Sequence, residues 1–305
     1  MTLRARPYAL SFSTTATLLL LASACATPPP APSARAPSTP LTARVNGPFA
    51  SFEITCDSAD AGSLGLVGSA LLQAATKASR WGSFRSDHAI DVRVLRDHAA
   101  LEGAVGHEGY AWLRGWAFSD RVLLQNPRTW PETTDEQLHN DLDELLAHEL
   151  THVLMYQAIE PQIGPMQALL STGREPDEPP LWFREGLASV TAGQGAKRLS
   201  PAQLGQWLDR HPGAQLLEPD AELVRTEKEA VYGAAHRAFE LFLSLSGDQG
   251  VTDLLRAMKG GARFSDAFTQ ATGLSLKTFE GEALRGRFSV SAIEVPAKNH
   301  GAGGP

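Results

Sequence analysis

Residues 145–156 read LLAHELTHVLMY, and the reading of this stretch decides both the fold and the chemistry. On an α-helix, positions four apart stand one above the other, so His148 and His152 can present two imidazoles to a single point. Glu149 sits beside them in the same turn. Leu145, Leu146, Ala147, Leu150, Val153 and Leu154 around them are apolar, which predicts a buried helix, and buried polar groups need a partner. A metal ion supplies one. Neutral imidazoles suit zinc, and Glu149 is placed to act as general base toward a water that the ion makes more acidic.

Catalytic zinc usually takes three protein ligands. Met155 and Ala158 stand where the longer HExxHxxGxxH pattern would put a glycine and a third histidine, so the third ligand lies elsewhere. Carboxylates follow at Glu160, Glu175, Asp177, Glu178 and Glu185.

Around this helix the pattern changes once. FASFEITC (49–56) and AIDVRVL (89–95) alternate with the period of half-buried strands, and a helix is expected between them over about residues 61–80. GYAWLRGWAFSDRVLLQNP (109–127) predicts two more strands around a turn near Ser119 and Asp120. TTDEQLHNDLDELLAHELTHVLMYQAIE (133–160) is one long helix, opened by Thr133 or Thr134 and closed before Pro161. After a Gly/Pro-containing loop, PLWFREGLASVTAG predicts a short helix between Pro180 and Gly193. Ser200 and Pro201 open another, and at least three more helices follow between about 226 and 288. Only RFSVSAIEV (287–295) again looks like a strand. A mixed sheet followed by helices is an α+β arrangement with segregated halves.

LWFREGLAS (181–189) resembles the segment W-x-x-E-G-x-A of the peptidase MA-like, or gluzincin, metallopeptidases, with Trp182, Glu185, Gly186 and Ala188 in the matching places. The order of strands and helices over about residues 48–288 is similar to that whole family domain. The resemblance implies a zincin-like fold with zinc in a cleft between the sheet with its active-site helix and the helical half. It implies His148, His152 and Glu185 as zinc ligands, and GWAFSDRVLL as an edge strand that binds extended substrate. Gly186 is expected to let this helix approach the HELTH helix closely. One departure stands out: four residues after Glu185, where related enzymes often carry an acid that orients a histidine, the chain has Ser189. Family members commonly stabilise the tetrahedral intermediate with a Tyr or His of the helical half, and VYGAAHRAFELFL offers Tyr232 and His236 on one helix face.

Composition bounds the remaining readings. The chain has 305 residues, 43% of them hydrophobic, enough for one enzyme-sized domain. Its formal net charge of −7 excludes the basic footprint of a nucleic-acid binder. Residues 1–24 read as an export signal: Arg4 and Arg6, a short apolar run, then Ala22-Ser23-Ala24. LASAC (21–25) also resembles a lipobox, which would make Cys25 a lipid attachment site and tie the protein to the bacterial envelope. The absence of Asp after Cys25 points to the outer membrane by resemblance to lipoprotein sorting. Cleavage without lipid, giving a soluble exported protein, stays open. Residues 25–47, rich in proline, alanine and serine, read as an extended tether. The peptidase domain is expected over 48–296 and a disordered tail over 297–305. Cys56 is expected buried in a strand.

The function these residues predict is a zinc-dependent endopeptidase or aminopeptidase-type hydrolase acting on peptides or proteins outside the cytoplasm. Two rivals remain open: a noncatalytic zinc-binding envelope lipoprotein serving as a binding or assembly module, and a zinc hydrolase for bonds other than peptides. An intact Glu149 argues against the first, because a binder needs no base.

Overall fold

Strand alternation builds the sheet in the computed structural model, which describes residues 39–82, 84–86, 88–106, 109–131, 134–159, 178–286 and 288. All fall within one unit, Ser38–Pro305. Five strands are described: β1 (Pro40–Asn46), β2 (Ser51–Asp57), β3 (Ile90–Leu95), β4 (Gly115–Ala117) and β5 (Arg121–Gln125). Their order is β1-β2-β3-β5-β4, with β2, β3 and β5 parallel and the outer strands β1 and β4 antiparallel to their neighbours. Phe52, Ile54 and Cys56 alternate inward with Ile90, Val92 and Val94, all buried. That alternation fixes the register, since a one-residue slip would turn every apolar side chain outward.

β1 corrects one sequence expectation. Residues 40–46 lie in the stretch expected to run as a tether, yet they pair along their whole length with β2. Leu41, Ala43 and Val45 form a partly buried face, and Pro40 occupies the first position of an edge strand, where a missing N–H is tolerated. Prolines on either side mask this short alternation. Residues 25–38 of the expected tether, the export signal, the tail 297–305 and the C-terminal strand apart from Phe288 lie outside the described residues.

Helices cover the sheet and make up the rest. α1 (Gly62–Ala78) follows β2, α2 (His98–Val105) follows β3, and α3 (Asp135–Ile159) carries the HELTH residues. Thr134 caps α3 through its side-chain oxygen, which accepts from the Gln137 amide. From Leu146 to Tyr156 every residue of α3 is buried, because α1, α4 and the sheet edge enclose it. α4 (Leu181–Ala192) starts after Pro180 and stops at Gly193, whose φ of 79° is the left-handed conformation glycine accepts freely. Then come α5 (Pro201–Arg210), α6 (Ala221–Thr226), the long α7 (Lys228–Lys259), bent at Gly247, α8 (Phe264–Thr272) and α9 (Leu276–Arg285). The mixed α+β layout, a sheet followed by a mostly helical remainder, matches the expectation, with β1 as a fifth strand beyond the four expected there. α2 and α6 were not anticipated.

The helical half holds α4 in place. Trp182 is fully buried among Phe183, Phe264, Phe268 and Phe279, and its indole N–H donates to Glu280 Oε1 at 2.8 Å. Burying a large aromatic side chain contributes about 1.5–3 kcal/mol. Gly186 corrects a second expectation: it faces α7, not α3, and a Cβ there would stand 2.4 Å from Phe239 Cβ and 2.5 Å from the Ala235 carbonyl oxygen. Among the described residues, no helix is long and apolar enough to cross a membrane.

Candidate metal centre

Two helices bring three donor groups together. α3 contributes His148 and His152, one turn apart with rings edge to face at 4.8 Å. α4 contributes Glu185, whose Oε2 lies 3.1 Å from His148 Nε2 and whose Oε1 lies 3.5 Å from His152 Nε2. The two Nε2 atoms are 3.2 Å apart, and one ligand atom from each residue falls within a 4.8 Å group. Two facing imidazole nitrogens cannot both be protonated there without repulsion, whereas a cation between them and the carboxylate satisfies all three. The cluster is compatible with zinc, which favours such a nitrogen, nitrogen, oxygen donor set.

The electrostatics agree. Burial alone would raise the Glu185 carboxyl, but the adjoining His152 and His148 imidazoles outweigh it and hold it well below the usual carboxylate range. Burial would lower His152, and the Glu185 carboxylate reverses this and raises it. Glu185 is therefore an anion held against the imidazoles, as a ligand must be. Both Nδ1 atoms are buried with no hydrogen-bond partner among the described residues, although such atoms in metal sites usually donate to an acceptor that fixes the ring. Ser189, in the place where an acid would serve, instead meets His236 Nδ1 at 2.9 Å and accepts from Arg198 Nε at 3.1 Å.

Glu149 lies beside the three donors but does not join them. Burial pushes its carboxyl above the usual range, while the imidazoles and the Ala117 backbone N–H oppose that shift. β4 presents this N–H because Phe118 N and Arg114 O already bond to β5 residues, so Gly115 and Ala117 face away from the sheet. Gly115 fits tightly: a Cβ there would be 3.0 Å from Glu149 Cγ. β4 is the sheet edge, as GWAFSDRVLL predicted.

A cleft of about 260 Å³ opens beside the cluster, lined by β4, α3, α4 and the start of α7. Tyr232 faces it. Burial, followed by the Glu185 carboxylate, raises the Tyr232 hydroxyl well above its ordinary value, so it stays protonated. His236, one turn further along α7, does not line the cleft. It is buried between Ser189 and Glu240, and its hydrogen bond to Glu240, with that of Arg237, lowers the Glu240 carboxyl to about 2. Of the competing carboxylates, Glu178 is described and stands outside the cluster, while Glu160, Glu175 and Asp177 lie outside the described residues. Sequence reasoning missed Tyr156 and Arg184, buried together in the cleft wall with Arg184 Nη1 donating to the Tyr156 hydroxyl at 3.3 Å. It also missed Trp112, Arg114, Arg198 and Lys228. Arg184 adjoins Glu185 in the sequence and could have been found from that. The others share no spacing.

No protein-family model and no curated protein matches the chain. Among solved structures, it is similar to an aminopeptidase A of Legionella pneumophila in complex with aspartic acid: 16% identity, 79% of this chain and 27% of that one covered, TM-score 0.49. It is also similar to an M1 zinc metallopeptidase variant from Deinococcus radiodurans bound to a Tyr-Ser-Ala substrate, at 14% identity, 85% and 54% coverage and TM-score 0.42. A third is an aminopeptidase N family protein from Idiomarina loihiensis, at 13% identity, 80% and 46% coverage and TM-score 0.38. The chain spans between about a quarter and about half the length of these proteins.

Proposed function

We propose that the chain is a zinc-dependent peptidase of the gluzincin type, with zinc held in the cleft by His148, His152 and Glu185. The observation that carries this reading is the convergence of those three donors with a separate carboxylate, Glu149, at an open sheet edge. Bound there, zinc would supply Lewis acidity toward a carbonyl and toward water. Glu149, raised by burial and steadied by the Ala117 N–H, takes a proton from the attacking water and passes it to the departing amine nitrogen. An extended peptide adds along β4, where the outward backbone of Gly115 and Ala117 lies next to Glu149. Tyr232, protonated in the same cleft, donates to the oxygen that gains charge. His236 has no such access.

The substrate is a peptide or protein outside the cytoplasm, with the chain exported and lipid-anchored through Cys25. LASAC and the proline-rich residues after it support this part, and intact-mass analysis of the mature protein tests it. An unmodified Cys25 would favour the soluble exported form.

Glu149→Gln separates catalysis from metal binding. The variant should keep its zinc and fold while losing peptide turnover by at least about 100-fold. Wild-type turnover in Glu149→Gln would overturn the assignment of the base.

A further inference from the structure

The cleft is cationic in a chain that is not. Acidic residues outnumber basic ones 34 to 27 overall, yet the described cleft lining carries Arg114, Arg184, Arg198 and Lys228 against Glu149 and Glu185 alone. Both of those carboxylates already have roles in the proposed site. Zinc would make the surroundings more positive still.

Two of the cations, Lys228 and Arg198, come from separate elements and stand against one aromatic pair, and Arg114 is near enough to act on the Lys228 ammonium. Trp112 lies edge-on to Tyr232 at 6.0 Å. Lys228 Nζ stands 4.8 Å from the Trp112 ring centroid, and Arg198 Cζ stands 5.5 Å from that of Tyr232. Arg114, two residues after Trp112, lies with its guanidinium 4.8 Å from the Trp130 ring centroid. Among the described residues neither Arg114 nor Arg198 forms an ion pair with a carboxylate, and Lys228 has only the exposed Glu229, at 3.7 Å. Burial lowers the Lys228 ammonium, and Arg198 and Arg114 lower it further, while Glu229 opposes them. Like charges gathered at a partly desolvated aromatic wall repel one another, and an anion between them removes that repulsion.

We propose that Arg198 and Lys228, against Tyr232 and Trp112, together with Arg114 in the same cleft lining, form an anion subsite that seats a carboxylate of the substrate peptide. This rests on the peptidase reading above and gives it a substrate class: peptides with an aspartate or glutamate side chain near the scissile bond, or with their own C-terminal carboxylate there. Guanidinium groups suit a carboxylate because two N–H groups can meet its two oxygens. Trp112 and Tyr232 give the flanking apolar atoms a surface and exclude water.

Calorimetric binding to the zinc-loaded Glu149→Gln protein, which should not hydrolyse its ligand, tests the subsite. Four peptides share one neutral core: one gains a glutamate and is C-terminally amidated, one keeps a free C-terminus, one is neutral and amidated, and one is amidated with a lysine. One of the two carboxylate peptides should bind about tenfold or more tightly than the neutral amidated one, with the lysine peptide weakest. Which of the two wins identifies the source of the carboxylate. The preference should shrink with added salt and fall to within about twofold in Lys228→Met and in Arg114→Gln. Equal binding of all four peptides, no binding of any, or a preference that survives both substitutions would overturn the subsite. Wild-type turnover of the same peptides keeps the two proposals apart. Cleavage without a carboxylate preference sinks the subsite and leaves the peptidase, whereas preferential binding without any cleavage sinks the peptidase and leaves the subsite.

Discussion

Gly115 touches the Glu149 carboxyl group so closely that a Cβ at residue 115 would lie 3.0 Å from Cγ and 3.3 Å from Oε1. The strand expected to hold substrate and the residue expected to act as base are thus in direct contact. A side chain at residue 115 would move the carboxylate.

Gly115→Ala should therefore impair turnover without disturbing the metal ligands. A displacement of a few tenths of an ångström at Glu149 should lower kcat/KM on the order of tenfold. Zinc affinity should stay within about twofold of wild type, because the three atoms nearest the new methyl group all belong to Glu149. Steady-state kinetics alongside a zinc titration checks both, and undiminished turnover would show that the Gly115 contact is irrelevant to Glu149.

Gly186→Ala should act on the fold. The methyl group would meet Phe239 Cβ at 2.4 Å and the Ala235 carbonyl at 2.5 Å, and the latter is backbone that cannot swing aside. Overpacking of this kind costs about 1–3 kcal/mol, more than the gain of about 1 kcal/mol that alanine brings to a helix interior. Thermal unfolding should shift down by about 2–4 °C, for a net loss on the order of 1 kcal/mol, with weakened zinc retention because Glu185 is the adjacent residue. An unchanged or raised Tm would mean that α4 and α7 are not packed as described.

His148 and His152 were legible because helical spacing puts them on one face without reference to distant chain, whereas Glu185 was singled out from the other carboxylates only by the resemblance of LWFREGLAS to a family segment; the structure brings the three together. The sheet was legible where Phe52, Ile54, Ile90, Val92 and Val94 alternate. β1 was not, since Leu41, Ala43 and Val45 are only half-buried and lie between prolines. The partner of Gly186 was also hidden: the sequence shows that a close approach exists there, but Phe239 and Ala235 lie about fifty residues away and have no periodic link to it. The cationic wall was invisible for the same reason. Arg114, Arg198 and Lys228 are ordinary isolated charges until tertiary packing brings them into one cleft lining with Trp112 and Tyr232.

Tyr232→Phe should separate the two residues that share a face of α7. Removing a hydroxyl that donates to developing negative charge should lower kcat about 100-fold with little change in zinc affinity. His236→Gln should leave kcat within about threefold, because His236 is turned toward Ser189 and Glu240 and any loss would come through stability. Kinetics on both variants, with melting curves to separate folding effects, decides between them. A larger kcat loss at His236 than at Tyr232 would reverse their roles.

Zinc binding itself is the measurement that bears most directly on the central claim. A competitive titration of the full chain should give about one zinc per molecule. His148→Ala, His152→Ala and Glu185→Ala should each weaken it by at least about 100-fold, while Glu178→Ala and Glu149→Gln should change it by less than about threefold. Wild-type protein that takes up no zinc, or wild-type affinity in Glu185→Ala, would contradict the account.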